Sequence, residues 1–360
     1  MTDTRDFASL LNRKLTPEPW CIDHITFDGT HCEIRGWALP PQGQHSQITF
    51  TLNDRPFEKI DFPLHRPDLA KVFWFKPGSE TAAFRCQTPA SWAQDFKEGY
   101  ATLKFIHRQS NLPVREEHNW YYPDDRKLPE LPDNPRRARV AGNASAEFFR
   151  MDGYSTFKKL DLALQKTQSK SIGEFRSILD WGCGCGKTTR YFSLLKNSKL
   201  TGADIDLDNL RWCKQHLTFG EFHHLPLHPP TELSSSSFDL LFGISVFSHL
   251  KERDQIDWLT ELRRIARPDA VLLMSVFGDA AACQSRWGPE MWHEWTSKGI
   301  FYSPDNQDLN GFIEDDDYYG NTYLTQDYIR QKWSRFFEVV KIIPAYIGNI
   351  QDLVILRKSI

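Results

Sequence analysis

Residues 180–190 read DWGCGCGKTTR, a stretch whose residue types admit several chemistries. A triphosphate loop of the form GxxxxGK[ST] requires a glycine five residues before Gly186, and that position is Trp181. Lys187 and Thr188 therefore read as the start of the following helix. Gly182, Gly184 and Gly186 give GxGxG, one residue short of the GxGxxG of dinucleotide sites. Zinc would need two more ligands beside Cys183 and Cys185 at a recognisable spacing, and a tight turn points those sulfurs apart, so the cysteines read as small residues in a crowded turn and no metal is expected. What remains uses every feature. Asp180 ends an apolar strand, the glycines let backbone approach a ligand, and the next helix aims its first amides at it. Asp204 then ends the following strand, 22 positions after Gly182, where a carboxylate accepts hydrogen bonds from both hydroxyls of a ribose.

The elements that must hold these residues fall into two styles. Up to about residue 110, short runs such as CIDHITF, HCEIRGWAL, QITFTLN, TAAFRCQ and YATLKFIHR alternate with turn signals, PPQG at 40–43 among them. That spacing predicts a separate N-terminal β-sandwich domain over 1–110. Residues 111–143 carry Pro113, Pro123, Pro129, Pro132 and Pro135 in a charged, aperiodic sequence and read as a Pro-rich linker. From 144 to 170 apolar residues return at helical spacing, and after 176 strands and helices alternate: RSILDWG, then KTTRYFSLLKN as a helix, KLTGAD, LDNLRWCKQHL as a helix capped by Asp206, SFDLLFGI, the helix DQIDWLTELRRIA, and AVLLMSV. FEVVKIIP and DLVILRK follow each other with no helix between and should pair antiparallel. The 144–360 domain is thus expected to be α/β, a doubly wound parallel sheet ending in an antiparallel hairpin.

Composition narrows the function classes. The chain of 360 residues has a formal net charge of −3 with its basic residues spread out, which argues against a nucleic-acid partner despite PRRAR at 135–139. No apolar run is long enough to span a membrane. Seven cysteines, an odd number, and the absence of a secretory-type N-terminus imply free thiols and a cytoplasmic location. A homo-oligomer is compatible with everything above.

A ribose-binding loop without a diphosphate signature fits S-adenosylmethionine. ILDWGCGCGKTTR, LTGADIDLDNL, FDLLFGISVFSHL, ELRRIARPDAVLLMSV and the terminal QDLVILRK together resemble the class I S-adenosylmethionine-dependent methyltransferases over residues 144–360, which implies a Rossmann-like sheet of seven strands. The resemblance implies that Asp180, Gly182, Cys183, Gly184 and Gly186 line the methionine part of the cofactor, that Asp204 binds the ribose hydroxyls, that Ile205 packs on adenine and that Ile244 lies beside it. It leaves open which of Phe222, His223 and His224 faces the base, because EFHHLPL lacks the acidic residue usual there. A sandwich preceding such a domain is more loosely similar to methyltransferases found beside enzymes of sugar-polymer synthesis.

Methyl transfer is an in-line displacement that asks mainly for alignment, with a base where the acceptor is a hydroxyl. His249 is the first candidate base, with Asp317 and Asp352 as rivals. Residues 277–325 are too long and too aromatic for a mere connection and are expected to form an acceptor lid, in which Tyr318 and Tyr319 meet a small molecule or glycan. Tyr154 is a candidate flap over the cofactor. Trp37, Trp74 and RPDL at 66–69 could recognise carbohydrate, and a glycan-binding or cofactor-sensing protein without transferase activity is the competing reading.

Overall fold

The computed structural model describes residues 4–15, 19–28, 30–39, 47–89, 99–107, 115–124, 127–315 and 317–359. The PPQG turn and Pro113 lie outside them. Two antiparallel sheets form first. β1 (Trp20–Phe27), β2 (His31–Ala38), β5 (Lys59–Leu64) and β6 (Ala83–Pro89) make one sheet in the order β1-β2-β6-β5. β3 (Ile48–Leu52), β4 (Arg55–Pro56), β7 (Tyr100–His107) and β8 (Trp120–Pro123) make the other, in the order β4-β3-β7-β8. The alternation in QITFTLN has the expected result: Ile48, Phe50 and Leu52 are buried in a core shared with Trp20, Ile34 and Phe84 of the first sheet.

The stretch expected to be a linker is structured. It supplies β8, whose four residues are buried and pair with β7, and α3 (Asn134–Ala141), which Asp133 caps by accepting from Arg136 N. Pro123 and Pro135 interrupt neither element. The first closes an outer strand and the second stands in the first turn of a helix, two places where a missing N–H costs little.

After the long helix α4 (Ala146–Gln168) comes the main sheet. β9 (Ser177–Trp181), β10 (Lys199–Asp204), β11 (Gly220–His224), β12 (Phe238–Gly243) and β13 (Ala266–Phe277) run parallel in the order β11-β10-β9-β12-β13. β16 (Glu338–Ile347) and β17 (Gln351–Arg357) form the expected antiparallel hairpin, with β17 against β13. The sheet holds nine strands rather than seven. β12 follows β13 only as far as Gly243 opposite Met274, and the edge it leaves is taken at Phe277 by Tyr323 of β15 (Asn321–Leu324), which carries β14 (Ile300–Ser303). Both extra strands come from the segment expected to be a lid.

α5 (Leu207–His216) begins at Asp206 as expected, the carboxylate accepting from Asp208 N and Asn209 N. α6 (Glu252–Ile265) buries Leu259, Leu262 and Ile265. KTTRYFSLLKN, by contrast, is not an α-helix but a 3-10 helix over Thr189–Leu194. Thr189, Arg190, Tyr191 and Phe192 are buried in succession while Leu194 is 49% exposed, a pattern without the 3.6-residue alternation of an amphipathic helix.

A mixed apolar cluster joins the two halves of the chain. Phe7 and Leu11 of α1 (Thr4–Lys14), with Trp37 and Phe73, pack against Cys283, Trp287, Trp292 and Trp295, which follow β13. Trp37 is thus a core residue, as are the three lid tryptophans, and none of these four presents a free face to a sugar. Trp74 is 41% exposed.

Candidate functional site

A crevice opens where β9, β10 and β12 end, the edge at which a doubly wound sheet binds ligands. Gly182 and Gly184 line it from the first tip, Asp204 and Ile205 from the second, and Ile244 with Ser245 from the third. The loop needs its glycines. Gly182 and Gly184 have φ of +78° and +53°, and a Cβ on Gly182 would stand 2.4 Å from Val246 Cγ2. Asp204 Oδ2 accepts from Gly184 N at 2.6 Å and Oδ1 from Asp206 N at 2.8 Å, so the second tip fixes the loop at the first. Each carboxylate oxygen has a further lone pair for a ligand. Burial pushes the Asp204 pKa up to about 6 against the lowering effect of these amides.

Ser245 also has positive φ, +59°. A closed ring of hydrogen bonds holds it there: Ser245 N donates to Ser275 Oγ, Ser275 Oγ to Gln351 Oε1, and Gln351 Nε2 to Ser245 Oγ, at 2.6 to 2.7 Å. A strained residue kept at a strand tip is a common mark of a working site.

Opposite the strand tips, α3 and the segment 309–319 complete the crevice through Arg139, Val140, Leu309, Tyr318 and Tyr319. Arg139 Nε donates to Asp206 Oδ2 at 3.0 Å, its Nη2 donates to Asp208 Oδ2 at 2.9 Å, and Phe312 stacks on its guanidinium at 3.9 Å. Arg136 adds a bond to Asp208 Oδ1 at 2.6 Å. The basic run PRRAR is therefore a clamp on the start of α5. Its sequence signal was the Asp133-Asn134-Pro135 helix start, legible as an N-cap followed by proline.

The structure separates the other expected residues. Asp180 is buried and its Oδ2 accepts from Thr189 Oγ1 at 2.6 Å; burial raises its pKa to about 7, and it does not line the crevice. Cys183 turns into an apolar cluster with Cys213 and Phe222, and Gly186 packs against Leu217. Phe222 is thereby also inside; His223 and His224 line a neighbouring groove, and the residue of that strand end reaching the crevice is Leu225. Tyr318 lines the crevice with its hydroxyl accepting from Trp258 Nε1 at 2.9 Å.

His249 is buried one ring away from the crevice, stacked on Tyr319 with centroids 4.2 Å apart. Its Nδ1 donates to Gly320 O at 2.7 Å, and burial lowers its pKa to about 4. It is a neutral imidazole at neutral pH, with the Nε2 lone pair outward from that bond. The rivals fall elsewhere. Asp317 is exposed and does not line the crevice. Asp352 is buried and accepts from Ala345 N at 2.9 Å, holding a residue of φ +49° in β16; burial raises its pKa to about 7. Tyr154 is no flap, being packed among Tyr100, Phe157 and Tyr191 in the core.

Comparison with known proteins agrees with this arrangement. Residues 179–272 match the family model for a methyltransferase domain, a span from within β9 to within β13 that includes the glycine loop, Asp204 and Ile244. Similar solved structures include a protein from Pyrococcus horikoshii OT3 (17% identity, TM-score 0.41, covering 62% of this chain and 96% of that one). A SAM-dependent methyltransferase from Methanosarcina mazei is 19% identical, with a TM-score of 0.39, over 54% of this chain and 96% of that one. An S-adenosylmethionine-dependent methyltransferase from Mesorhizobium loti is 13% identical, with a TM-score of 0.39, over 55% and 97%. The matched segment is a methyltransferase domain, and S-adenosylmethionine is the cofactor named for the two methyltransferases it resembles. The residues present fit that group: a loop stripped of side chains at Gly182 and Gly184, and a carboxylate with lone pairs to spare. Among the described residues no helix is long and apolar enough to cross a membrane.

Proposed function

We propose that the protein methylates a hydroxyl of a small molecule or glycan, with the N-terminal sheets forming a sandwich that helps present the acceptor. The observation that carries the cofactor assignment is the bond from Gly184 N to Asp204 Oδ2, which joins a left-handed glycine loop and an acidic strand tip in one crevice. In this reading Gly182 and Gly184 admit the amino-acid part, Asp204 accepts from the ribose hydroxyls, and Ile205 and Leu225 flank the base. S-adenosylmethionine, when bound, supplies an electrophilic methyl on a sulfonium.

The chain's own contribution is alignment. Tyr318 and Tyr319 bound the acceptor side, and their hydroxyls stay protonated because burial raises both pKa values. Neutral His249 keeps the Tyr319 ring in place from behind the crevice. Leu309 and Phe312 mark the segment past which an acceptor enters. Ser245 offers a hydroxyl whose oxygen is already engaged by Gln351 and whose proton is free to donate.

Calorimetry with S-adenosylmethionine, ATP and NAD tests the cofactor assignment: the first should bind and the others should not. Incubating methyl-labelled cofactor with fractionated small molecules and glycans tests the acceptor class. Label recovered only on amines, or on protein, would refute transfer to a hydroxyl.

A further inference from the structure

A second cleft, of about 250 Å³, lies away from the crevice between β7, β8 and α4. Its lining follows the periods of its elements. Tyr100, Thr102 and Lys104 alternate along β7, and Lys158, Leu162 and Lys166 recur every fourth residue on α4. Four lysines, with Lys159 the fourth, face only Glu116 and Glu117 across it.

Lys159 is the unusual member. It is 2% exposed, and its ammonium donates to Tyr346 O at 2.8 Å and Asn349 Oδ1 at 2.9 Å. Among the described residues it forms no ion pair; the Trp120 and Tyr346 rings lie 5.8 and 5.6 Å from its Nζ, and the carboxylates that act on it, Asp152 and Glu117, stand farther off than an ion pair. A buried ammonium with its counter-charges at a distance is costly, and burial draws its pKa down to about 7. The neighbouring lysines add positive charge that nothing nearby fully neutralises. Lys166 forms no ion pair among the described residues, and Lys158 Nζ sits 4.0 Å from Asp161 Oδ2 and 4.9 Å from the Tyr100 ring centroid. Lys104 is the one lysine with a close carboxylate, Asp54, at 2.6 Å.

We propose that this cleft is a second ligand site, for a small ring compound bearing a carboxylate or phosphate, such as an acidic or phosphorylated sugar. The anion lies against Lys158 and Lys166, with the buried charge of Lys159 behind them, and the half-buried Tyr100 takes a face of the ring. The site does not depend on the methyl-transfer reading and is tested without the cofactor.

Calorimetry on the full chain with glucuronate, glucose 6-phosphate, inorganic phosphate and glucose reads it directly. At least one sugar anion should bind one-to-one with a Kd on the order of 1 mM or tighter, and glucose should give no heat. The carboxylate and phosphate arms identify the preferred anion. Lys166→Glu, on the exposed face of α4, leaves the fold intact and should weaken that sugar anion about tenfold or more. Tyr100→Ala should weaken the sugar anion and spare inorganic phosphate. Absence of binding by every anion, equal binding of glucose, or affinity unchanged in Lys166→Glu would overturn the proposal.

Discussion

The two sides of the cofactor crevice are built on different principles. The strand-tip side consists of Gly182, Gly184, Asp204, Ile205 and Ile244, each within a few residues of a hydrogen-bonded parallel strand. The opposite side consists of α3 with Leu309, Tyr318 and Tyr319, far apart in the chain and held by side chains: Arg136 and Arg139 on Asp206 and Asp208, Phe312 on Arg139, Tyr319 on His249. Backbone geometry fixes the first side and ion pairs with ring contacts fix the second. The lesson is that affinity for the cofactor should reside mainly in the rigid side and access to it mainly in the clamped one.

The sharpest way to break this contrast is at Gly182. Alanine there must adopt φ near +78° and bring its Cβ to within 2.4 Å of Val246, so affinity for S-adenosylmethionine should fall about a hundredfold or more by calorimetry. Adding Val246→Ala removes the collision but not the backbone strain, and should recover part of the loss. Full recovery would mean the left-handed conformation is unimportant.

Asp204→Asn should weaken the cofactor by about ten- to a hundredfold, the worth of charge-assisted hydrogen bonds. The same residue sets a pH dependence. With a pKa of about 6, Asp204 loses the ionised form as pH falls, and binding that requires it should weaken by about tenfold per unit below pH 6. The Asp204→Asn variant should be flat over that range, and a parallel slope in both proteins would place the titration elsewhere.

On the clamped side, Arg139→Ala should raise the dissociation rate of the cofactor about tenfold in stopped-flow measurements while changing its association less. Asp206 keeps its bonds to Asp208 N and Asn209 N, so α5 itself should stay capped. An unchanged rate would show that α3 does not gate the crevice.

The smallest effect on cofactor binding is expected outside both sides, at Asp352, whose part is in stability. Its folded pKa of about 7 exceeds the ordinary 3.8, so the native state holds the proton more tightly. That favourable contribution is complete below about pH 3.8 and is lost as pH rises through about 7. The stability of Asp352→Asn relative to the parent should therefore improve across that window in denaturant titrations, with methyl transfer little altered.

Much of the rigid side was legible in the sequence because its signals are local. Gly-x-Gly after an apolar run, an acid at the next strand end and Asp206 before a helix each depend on a few consecutive residues. Asp180 and Cys183 show the limit of that logic. Both sit in the motif, yet the loop's twist turns one toward Thr189 and the other toward Cys213 and Phe222. The segment after the loop looks helical in sequence, and the burial of four consecutive residues, Thr189 to Phe192, makes it a 3-10 turn instead. The aromatic run after β13 gave no hint that Trp287, Trp292 and Trp295 would pack with α1 and Trp37, far away in the chain.

The sequence alone determined β9, β10, β12 and β13 with α5 and α6, the antiparallel end of the sheet, the glycine loop and the acid at the next strand end, since periodicity and capping act over distances of a few residues. Tertiary structure decided that the supposed linker would clamp the crevice, that two lid strands would extend the sheet, that His249 would stand behind Tyr319, and that Lys159 would be buried without an ion pair. Those outcomes depend on which distant surfaces exclude water from one another, a property of the folded chain that no short window of residues carries.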